Sequence, residues 1–313
     1  MHMYIRPAQP DTDIPAITRL VNTYEPYPLT EQDVGRWFTY SSLGRITHRL
    51  VSTDADGNVS GYSGLVHESW TPPGEFIAWL IVDPAQRRQG TGRALWEASS
   101  GFLQRAGARS LISEVLDNDP VGLGFAQRRG FEILRHEFES ALDLKNWQEP
   151  AWADVIPKLE AEGIRFCSLA DFEERPKNYR KLFELNSAVE LDIPGARGYF
   201  DYAEFTERIL QAPWFRPAGQ LLAVDGDTWA GMTGIGLNTD TREARHTITG
   251  VLPAYRGRKI AQALKILAVR YARQHGAMMF RTSNDSRNAP MLAINRKMGF
   301  QPCPGKYFLI KEM

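Results

Sequence analysis

The sequence predicts an α/β fold that occurs twice in tandem, and three observations support this prediction. A short apolar run, Trp79–Pro84, ends in a basic, glycine-rich turn, Arg87–Gly92. The segment after the turn has the apolar spacing of a helix, so the order is strand, turn, helix. The same layout returns at residues 251–261, in the second half of the chain.

The two copies are separated by a constant offset of 169 residues, as in 251 − 82 = 169. A constant offset over many positions indicates an internal duplication, and this period is far longer than that of solenoid repeats. The chain is therefore predicted to hold two domains of similar fold. The matching pairs are Val82/Val251, Pro84/Pro253, Arg87/Arg256, Gly92/Ala261, Asp56-Gly57/Asp225-Gly226 and Gly130-Phe131/Gly299-Phe300.

The glycine-rich turn has the chemistry of a phosphate-binding site. Glycines allow backbone N–H groups to approach an anion closely, and the following helix N-terminus adds a partial positive charge. Arg87 and Arg88 add side-chain donors that suit phosphate. The spacing Arg-x-x-Gly-x-Gly differs from that of dinucleotide-binding and P-loop turns, which disfavours a dinucleotide oxidoreductase.

The composition excludes several classes of function. The 313 residues carry 37 basic and 37 acidic side chains, so no net charge favours binding to nucleic acid or to an anionic membrane. The chain has two cysteines and no metal-ligand spacing, and we expect no metal. It also lacks a signal peptide and an apolar run of about 18 residues, which predicts a cytoplasmic protein.

The turn resembles the coenzyme A pyrophosphate turn of the GCN5-related N-acetyltransferase (GNAT) superfamily. The predicted order of elements is similar to that of the family, and Asn288–Phe300 resembles its closing helix and Gly-Phe. The resemblance covers nearly the whole chain. It implies two tandem GNAT domains, each a mixed, mostly antiparallel sheet flanked by helices. We expect domains at residues 1–145 and 164–313, with a linker at 146–163 whose apolar side chains favour burial.

The resemblance implies acetyl-CoA, or another acyl-CoA, as co-substrate, and it assigns both turns and the strands before them to its binding. The residues of the first domain are Ile81, Val82, Arg87, Arg88, Gln89, Gly90, Thr91, Gly92 and Arg93. Those of the second domain are Val251, Arg256, Gly257, Arg258, Lys259, Ile260, Ala261 and Asn288. Lys259 replaces the Gly90 of the first turn; its side chain either holds a phosphate from outside or fills the turn.

Two carboxylates are candidates for the catalytic base that such a transfer needs. Glu75 and Glu243 lie on the strands that lead into the two turns. Strand alternation can direct Glu75 away from the cleft, and Glu114, on the next strand, is expected on the sheet face. The tyrosine that commonly serves the family as an acid is replaced by Ala126 and Asn295.

We therefore expect an acyl-CoA-dependent N-acyltransferase in which an amine attacks the thioester directly. The acceptor is expected to be a small molecule or a peptide, and the protein a monomer or a homodimer. A non-catalytic CoA-binding protein with decayed sites is the alternative from another class. A tandem acetyltransferase similar to mycothiol synthase is a more specific alternative.

Overall fold

The computed structural model of the protein describes residues 3–25, 28–40, 44–68, 70–194 and 201–313. The chain forms two compact units. Unit 1 comprises residues 1–136 together with 306–313, and unit 2 comprises residues 137–305. Within the described ranges, no helix is both long enough and apolar enough to cross a membrane.

Unit 1 contains most of the first half of the chain. Its elements, in order, are β1 (Tyr4–Pro7), α1 (Pro10–Val21), α2 (Glu31–Thr39), β2 (Ile46–Thr53), β3 (Val59–His67), β4 (Glu75–Val82), α3 (Thr91–Arg105), β5 (Ser110–Leu116) and α4 (Pro120–Gln127). The strand β6 (Glu132–Asp143) begins in unit 1 and continues into unit 2.

Unit 2 begins with the second part of β6. Its further elements are α5 (Val155–Ala161), β7 (Ile164–Ser168), α6 (Arg175–Glu190), α7 (Tyr202–Phe205), β8 (Gln220–Asp225), β9 (Thr228–Asn238), β10 (Glu243–Val251), α8 (Ile260–Gln274), β11 (Met279–Asp285) and α9 (Ala289–Met298). The last strand, β12 (Gln301–Glu312), begins in unit 2 and ends in unit 1.

The sheet of unit 1 has the strand order β1-β2-β3-β4-β5-β12. The described neighbours are antiparallel except for β4 and β5, which are parallel. One core cluster joins α1 and α2 to Val51 and Tyr62. A second cluster gathers Leu103 of α3, Phe76 of β4 and Leu309 of β12. The predicted mixed, mostly antiparallel sheet flanked by helices is therefore confirmed in this unit.

The sheet of unit 2 repeats this arrangement, with the order β6-β11-β10-β9-β8-β7 and one parallel pair, β10 and β11. Its main core cluster gathers Leu142 of β6, Leu264 of α8 and Phe280 of β11. Trp147, Val155, Ile156 and Leu159, from the segment predicted as a linker, are buried in the same cluster.

The final strands of the two halves are exchanged. Strand β5 pairs with residues 306–312 of β12, whereas its duplicate β11 pairs with residues 137–143 of β6. The two pairings are equivalent: Ser110 is opposite Glu312, Met279 is opposite Asp143, and both 279 − 110 and 312 − 143 equal 169. The compact units thus divide the chain differently from the boundaries expected at residues 145 and 164, because each takes a strand from the other half of the sequence.

Local signals in the sequence explain several helix starts. Thr30 accepts a hydrogen bond from the Asp33 N–H, and Asp33 accepts one from the Thr30 N–H, which forms the predicted capping box of α2. At the equivalent place in unit 2, Asp201 caps α7 by accepting from the Glu204 N–H at 2.9 Å. These caps satisfy donors that have no partner within the helix.

Candidate active site

The two parallel strands of unit 1 separate halfway along their length. Strand β4 pairs with β5 only from Glu75 to Ala78, but it stays paired with β3 as far as Val82. A cavity of about 520 Å³ lies where β4 and β5 diverge. The β5-facing edge of Trp79–Val82 therefore offers backbone donors and acceptors to a molecule in the cavity.

The first glycine-rich turn forms one end of this cavity. Seven of the nine residues predicted to bind the co-substrate in the first domain line it: Ile81, Val82, Arg87, Arg88, Gly90, Gly92 and Arg93. The other two, Gln89 and Thr91, lie outside the lining. Gln89 is exposed and donates a hydrogen bond to the Ala85 carbonyl, whereas Thr91 is buried at the start of α3.

Both turns require left-handed backbone at two positions. In unit 1 these positions are Arg88, with φ +65°, and Gly90, with φ +93°; in unit 2 they are Gly257 (+79°) and Lys259 (+67°). Each turn thus uses one glycine and one larger residue, in opposite order. A non-glycine residue in this region costs roughly 1–2 kcal/mol. Lys259 therefore preserves the left-handed backbone of the turn, and its side chain is exposed.

The arginines of the two turns have different partners. In unit 1 Arg87 donates to the Val82 carbonyl at 3.3 Å and lies 3.4 Å from Asp119, which itself caps α4. In unit 2 Arg256 is paired with Asp192, and Arg258 lies 3.0 Å from Glu162. Carboxylates thus partly neutralise Arg87 in unit 1 and both arginines in unit 2, so the second turn keeps less uncompensated positive charge for a phosphate.

The remaining residues predicted for the second site lie at positions equivalent to those of the first site. Val251 ends β10, Ile260 is buried at the start of α8, and Ala261 follows it. Asn288 caps α9, because its side chain accepts from the Met291 N–H at 3.3 Å. Asp119 does the same for α4 in unit 1.

Three buried residues of unit 2 replace residues that line the cavity in unit 1. Residues Lys265, Asn284 and Asn295 correspond, at the offset of 169, to Trp96, Val115 and Ala126, which line the cavity. Lys265 Nζ donates to Asn295 Oδ1 at 2.7 Å, and Asn295 Nδ2 donates to Asn284 Oδ1 at 2.7 Å. All three residues are buried. Burial lowers the pKa of Lys265 to about 7.

His246 belongs to the core of unit 2. Its ring stacks on Phe280 with the centroids 4.3 Å apart, and Nδ1 lies 3.3 Å from the Thr233 hydroxyl. Burial lowers its pKa, and the nearby ammonium of Lys265 adds to this effect. The imidazole is therefore neutral at pH 7 and is enclosed by aromatic rings.

The two predicted bases begin their strands at the paired end of each sheet. Glu75 is opposite Ser110 and Glu243 is opposite Met279, in the stretches where the parallel strands still pair. Glu75 lies outside the cavity lining. Glu243 accepts from Arg281 Nε at 3.0 Å, so its carboxylate is engaged in an ion pair. Glu75 thus stays outside the open part of the unit 1 cleft, and Glu243 is held by Arg281 within unit 2.

Two other side chains reach the cavity at the end away from the turn. Glu114 extends from the part of β5 that has left β4, and Tyr24 follows α1. The Tyr24 hydroxyl is buried close to the Glu114 carboxylate, and burial, followed by the charge of Glu114 and hydrogen bonding to it, raises the pKa of Tyr24 far above the usual value. Tyr24 therefore remains a neutral donor. The sequence predicts Glu114 on the face of the sheet. The structure shows that this face borders the cavity, because β5 separates from β4 just before Glu114.

Comparison with known proteins gives a family match in both halves of the chain. The sequence model of the acetyltransferase (GNAT) family matches residues 14–131 and residues 185–300. These segments contain the two glycine-rich turns. Among the residues that the structure describes, no group of three or more His, Cys, Asp or Glu side chains is arranged to hold a metal ion.

Curated relatives and solved structures are similar over most of the chain. A mycothiol acetyltransferase of Segniliparus rotundus is 26% identical over 81% of this chain and 91% of its own length. That of Streptomyces coelicolor is 24% identical over 95% and 89% of the two chains. A GCN5-related N-acetyltransferase from Sphaerobacter thermophilus has a TM-score of 0.66 and 21% identity, covering 99% and 95%. A tandem GNAT protein from the clavulanic acid biosynthesis pathway has a TM-score of 0.62 and 19% identity, covering 99% and 98%.

Proposed function

This chain belongs to the acetyltransferase (GNAT) family and is an acetyl-CoA-dependent N-acetyltransferase, and we propose that its transfer reaction takes place in the cavity of unit 1. One observation carries this proposal: a single cavity extends from the Arg-x-x-Gly-x-Gly turn, past the open edge of β4, to Glu114 and Tyr24. A donor with a phosphate end and a reactive end can thus be bound along its length.

The turn of unit 1 supplies the chemistry that a pyrophosphate needs. Its left-handed residues Arg88 and Gly90 lead into α3, whose first N–H groups have no acceptor within the helix. A Cβ at Gly90 would have no atom within 4 Å, so the space above this residue is open to a ligand. Arg87, Arg88 and Arg93 add positive charge around it. When bound, acetyl-CoA supplies the activated acetyl thioester.

Glu114 is the base in this proposal. An alkylammonium has a pKa of about 10 and must lose a proton before its nitrogen can attack. The Glu114 carboxylate is on the cavity wall and can accept that proton. The new N–C bond then forms as the C–S bond breaks, and the second proton lost by the amine nitrogen passes to the leaving thiolate. The neutral hydroxyl of Tyr24 provides a hydrogen bond to the negative charge that develops.

The relatives suggest the first acceptor to test. Mycothiol acetyltransferases match at 24–29% identity, and the matches from Segniliparus rotundus and Streptomyces coelicolor cover at least 81% of this chain. We therefore infer that a mycothiol-related amine is the leading candidate, ahead of other small-molecule amines and of peptides. The buried, hydrogen-bonded residues Lys265, Asn295 and Asn284 of unit 2 and the ion-paired arginines of its turn support a non-catalytic role for that unit.

The test is thiol release from acetyl-CoA with a panel that contains a mycothiol-related amine, a polyamine and a peptide. Glu114→Gln keeps the shape of the side chain but cannot accept the proton, so kcat/KM should fall by about 10²–10⁴-fold while acetyl-CoA affinity is retained. Glu75→Gln is the matched control and should stay within about twofold of the parent.

Two results would contradict the proposal. Full activity of Glu114→Gln would remove Glu114 as the base. Acetyl-CoA binding without thiol release for every acceptor would favour the non-catalytic alternative.

A further inference from the structure

Lys306, near the C-terminus, lies in unit 1 at the end of the cavity away from the turn. Its Nζ is 3.0 Å from Glu114 Oε1 and 3.4 Å from both carboxylate oxygens of Glu25. The same Nζ stands 4.4 Å from the centroid of the Tyr24 ring. One ammonium group therefore contacts two carboxylates and an aromatic face.

The pairing of β5 with β12 explains how Lys306 reaches Glu114. Lys306 is opposite Leu116, and Phe308 is opposite Glu114. Because side chains alternate along a strand, Lys306 and Glu114 are diagonal neighbours on one face of the sheet. They are 192 positions apart in sequence, so the exchange of strands alone brings them together.

The contacts of Lys306 join two parts of the unit 1 site. Glu114 belongs to β5, whereas Tyr24 and Glu25 follow α1. Glu114 and Tyr24 line the cavity, and Lys306 and Glu25 lie outside the lining. The side chains of Lys306, Glu25 and Glu114 are 21%, 25% and 19% exposed, so water screens this ion cluster less than it screens a surface pair.

We propose that Lys306 is a positioning residue for the acetyl-transfer site, acting through Glu114 and Tyr24. This inference rests on the proposed function of the unit 1 cavity. The ammonium holds the Glu114 carboxylate in place at the cavity wall, and through the Tyr24 face and Glu25 it fixes the segment after α1 against β5. Lys306 lies outside the cavity lining, on a strand from the second half of the chain.

The experiment compares Lys306→Met and Lys306→Arg in the full-length chain, with Lys311→Met, on the same strand, as control. The acceptor is the most active amine of the panel. Lys306→Met should lower kcat/KM for this amine by about 10–100-fold, the loss expected when a base is displaced by about 1 Å. Acetyl-CoA affinity by calorimetry should not change, and Lys306→Arg should recover part of the activity because it restores the cation.

Hydroxylamine provides a second readout, because it is largely uncharged at pH 7 and does not need a base to become nucleophilic. Hydroxylamine-dependent thiol release, corrected for the uncatalysed reaction, should change by less than about threefold in Lys306→Met. Lys311→Met should behave like the parent for both acceptors.

Several outcomes would overturn the inference. Parental kcat/KM in Lys306→Met would show that Lys306 does not position the base. A combined loss of acetyl-CoA affinity, unfolding temperature and both activities, without recovery in Lys306→Arg, would show that Lys306 only docks the strand. Inactivity of Glu114→Gln together with full activity of Lys306→Met would overturn this inference alone. Full activity of Glu114→Gln would instead remove the proposed base.

Discussion

Lys265 places an ammonium group inside unit 2, where it is 1% exposed and donates to the amide oxygen of Asn295. Burial disfavours the charged form of a lysine, and no carboxylate is among the causes that shift its pKa to about 7. The unfolded chain returns this side chain to water, where its pKa is about 10.5. Lys265 therefore links the stability of unit 2 to pH.

We predict that this lysine makes the protein more stable as the pH rises from about 7 to about 10. Between the folded and unfolded pKa values the unfolded state binds more protons, so the free energy of unfolding increases with pH. Below pH 7 both states are protonated and Lys265 adds no slope. In Lys265→Met the free energy of unfolding should rise less between about pH 7 and about pH 10. The difference from the parent in this rise should amount to a few kcal/mol, since each unit of pKa shift corresponds to roughly 1.4 kcal/mol.

Urea unfolding at a series of pH values measures this difference. Lys297→Met is the matched control, because Lys297 lies on α9 and is exposed. It should leave the slope as it is in the parent. Equal slopes in Lys265→Met and the parent would show that the buried amine does not titrate in this window.

At the scale of an element, the turn between β4 and α3 can be tested through its backbone. We predict that Gly90→Asp weakens acetyl-CoA binding by at least about tenfold, because a carboxylate would lie beside the bound phosphates and repel them. The φ of +93° adds backbone strain to the substitution. Calorimetry gives the affinity, and circular dichroism checks that the fold is retained.

Gly57→Asp separates the two effects of the Gly90 substitution. Gly57 has φ +84°, and a Cβ at this position also has no atom within 4 Å. Its hairpin turn lies outside the cavity. It therefore carries similar strain without the phosphate contact, and acetyl-CoA affinity should match that of the parent. Equal affinities in the two aspartate variants would contradict the assignment of the turn.

The turns were predictable from sequence because their chemistry is local. Glycine spacing, flanking arginines and the start of a helix lie within a few residues, and the duplication repeats them. The openness of each cleft depends instead on tertiary neighbours: Trp96 and Ala126 line a cavity in unit 1, whereas Lys265 and Asn295 bond to each other in unit 2. The sequence of the turns alone does not distinguish an open cleft from one that contains bonded side chains.

The position of Glu114 also depends on tertiary structure. Glu75 and Glu114 lie on neighbouring strands, and the alternation of side chains along a strand does not show which of them borders the cavity. The point at which β4 leaves β5, after Ala78, decides which of them meets the cavity. The geometry of unit 1 favours Glu114 over Glu75 as the base.

At the scale of the whole molecule, each unit is completed by a strand from the other half of the sequence. Strands β6 and β12 are duplicates separated by the offset of 169 residues, so the sequence pattern of either strand is compatible with pairing to β5 or to β11. Sequence periodicity therefore does not reveal the exchange. Lys306 shows why it matters for function, since this pairing puts a residue of the last strand beside Glu114.

Two core substitutions test the exchange. Leu309 of β12 is buried with Leu65, Phe76 and Leu111 of unit 1. We predict that Leu309→Ala destabilises unit 1 by about 2–5 kcal/mol, because it leaves a cavity in this core. Amide hydrogen exchange should then quicken in β4 and β5 and stay slow in β10 and β11. If each half of the chain kept its own last strand, Leu309→Ala would instead quicken exchange in β10 and β11.

Leu142→Ala is the reciprocal variant. Leu142 precedes the linker segment, yet it is 4% exposed in the core of unit 2, with Phe280 and Ala244. Exchange should quicken in β10 and β11, while β4 and β5 stay protected, because the lost contacts belong to unit 2. The two variants are thus expected to quicken hydrogen exchange in different units. Loss of protection in both units in either variant would contradict the assignment of these strands.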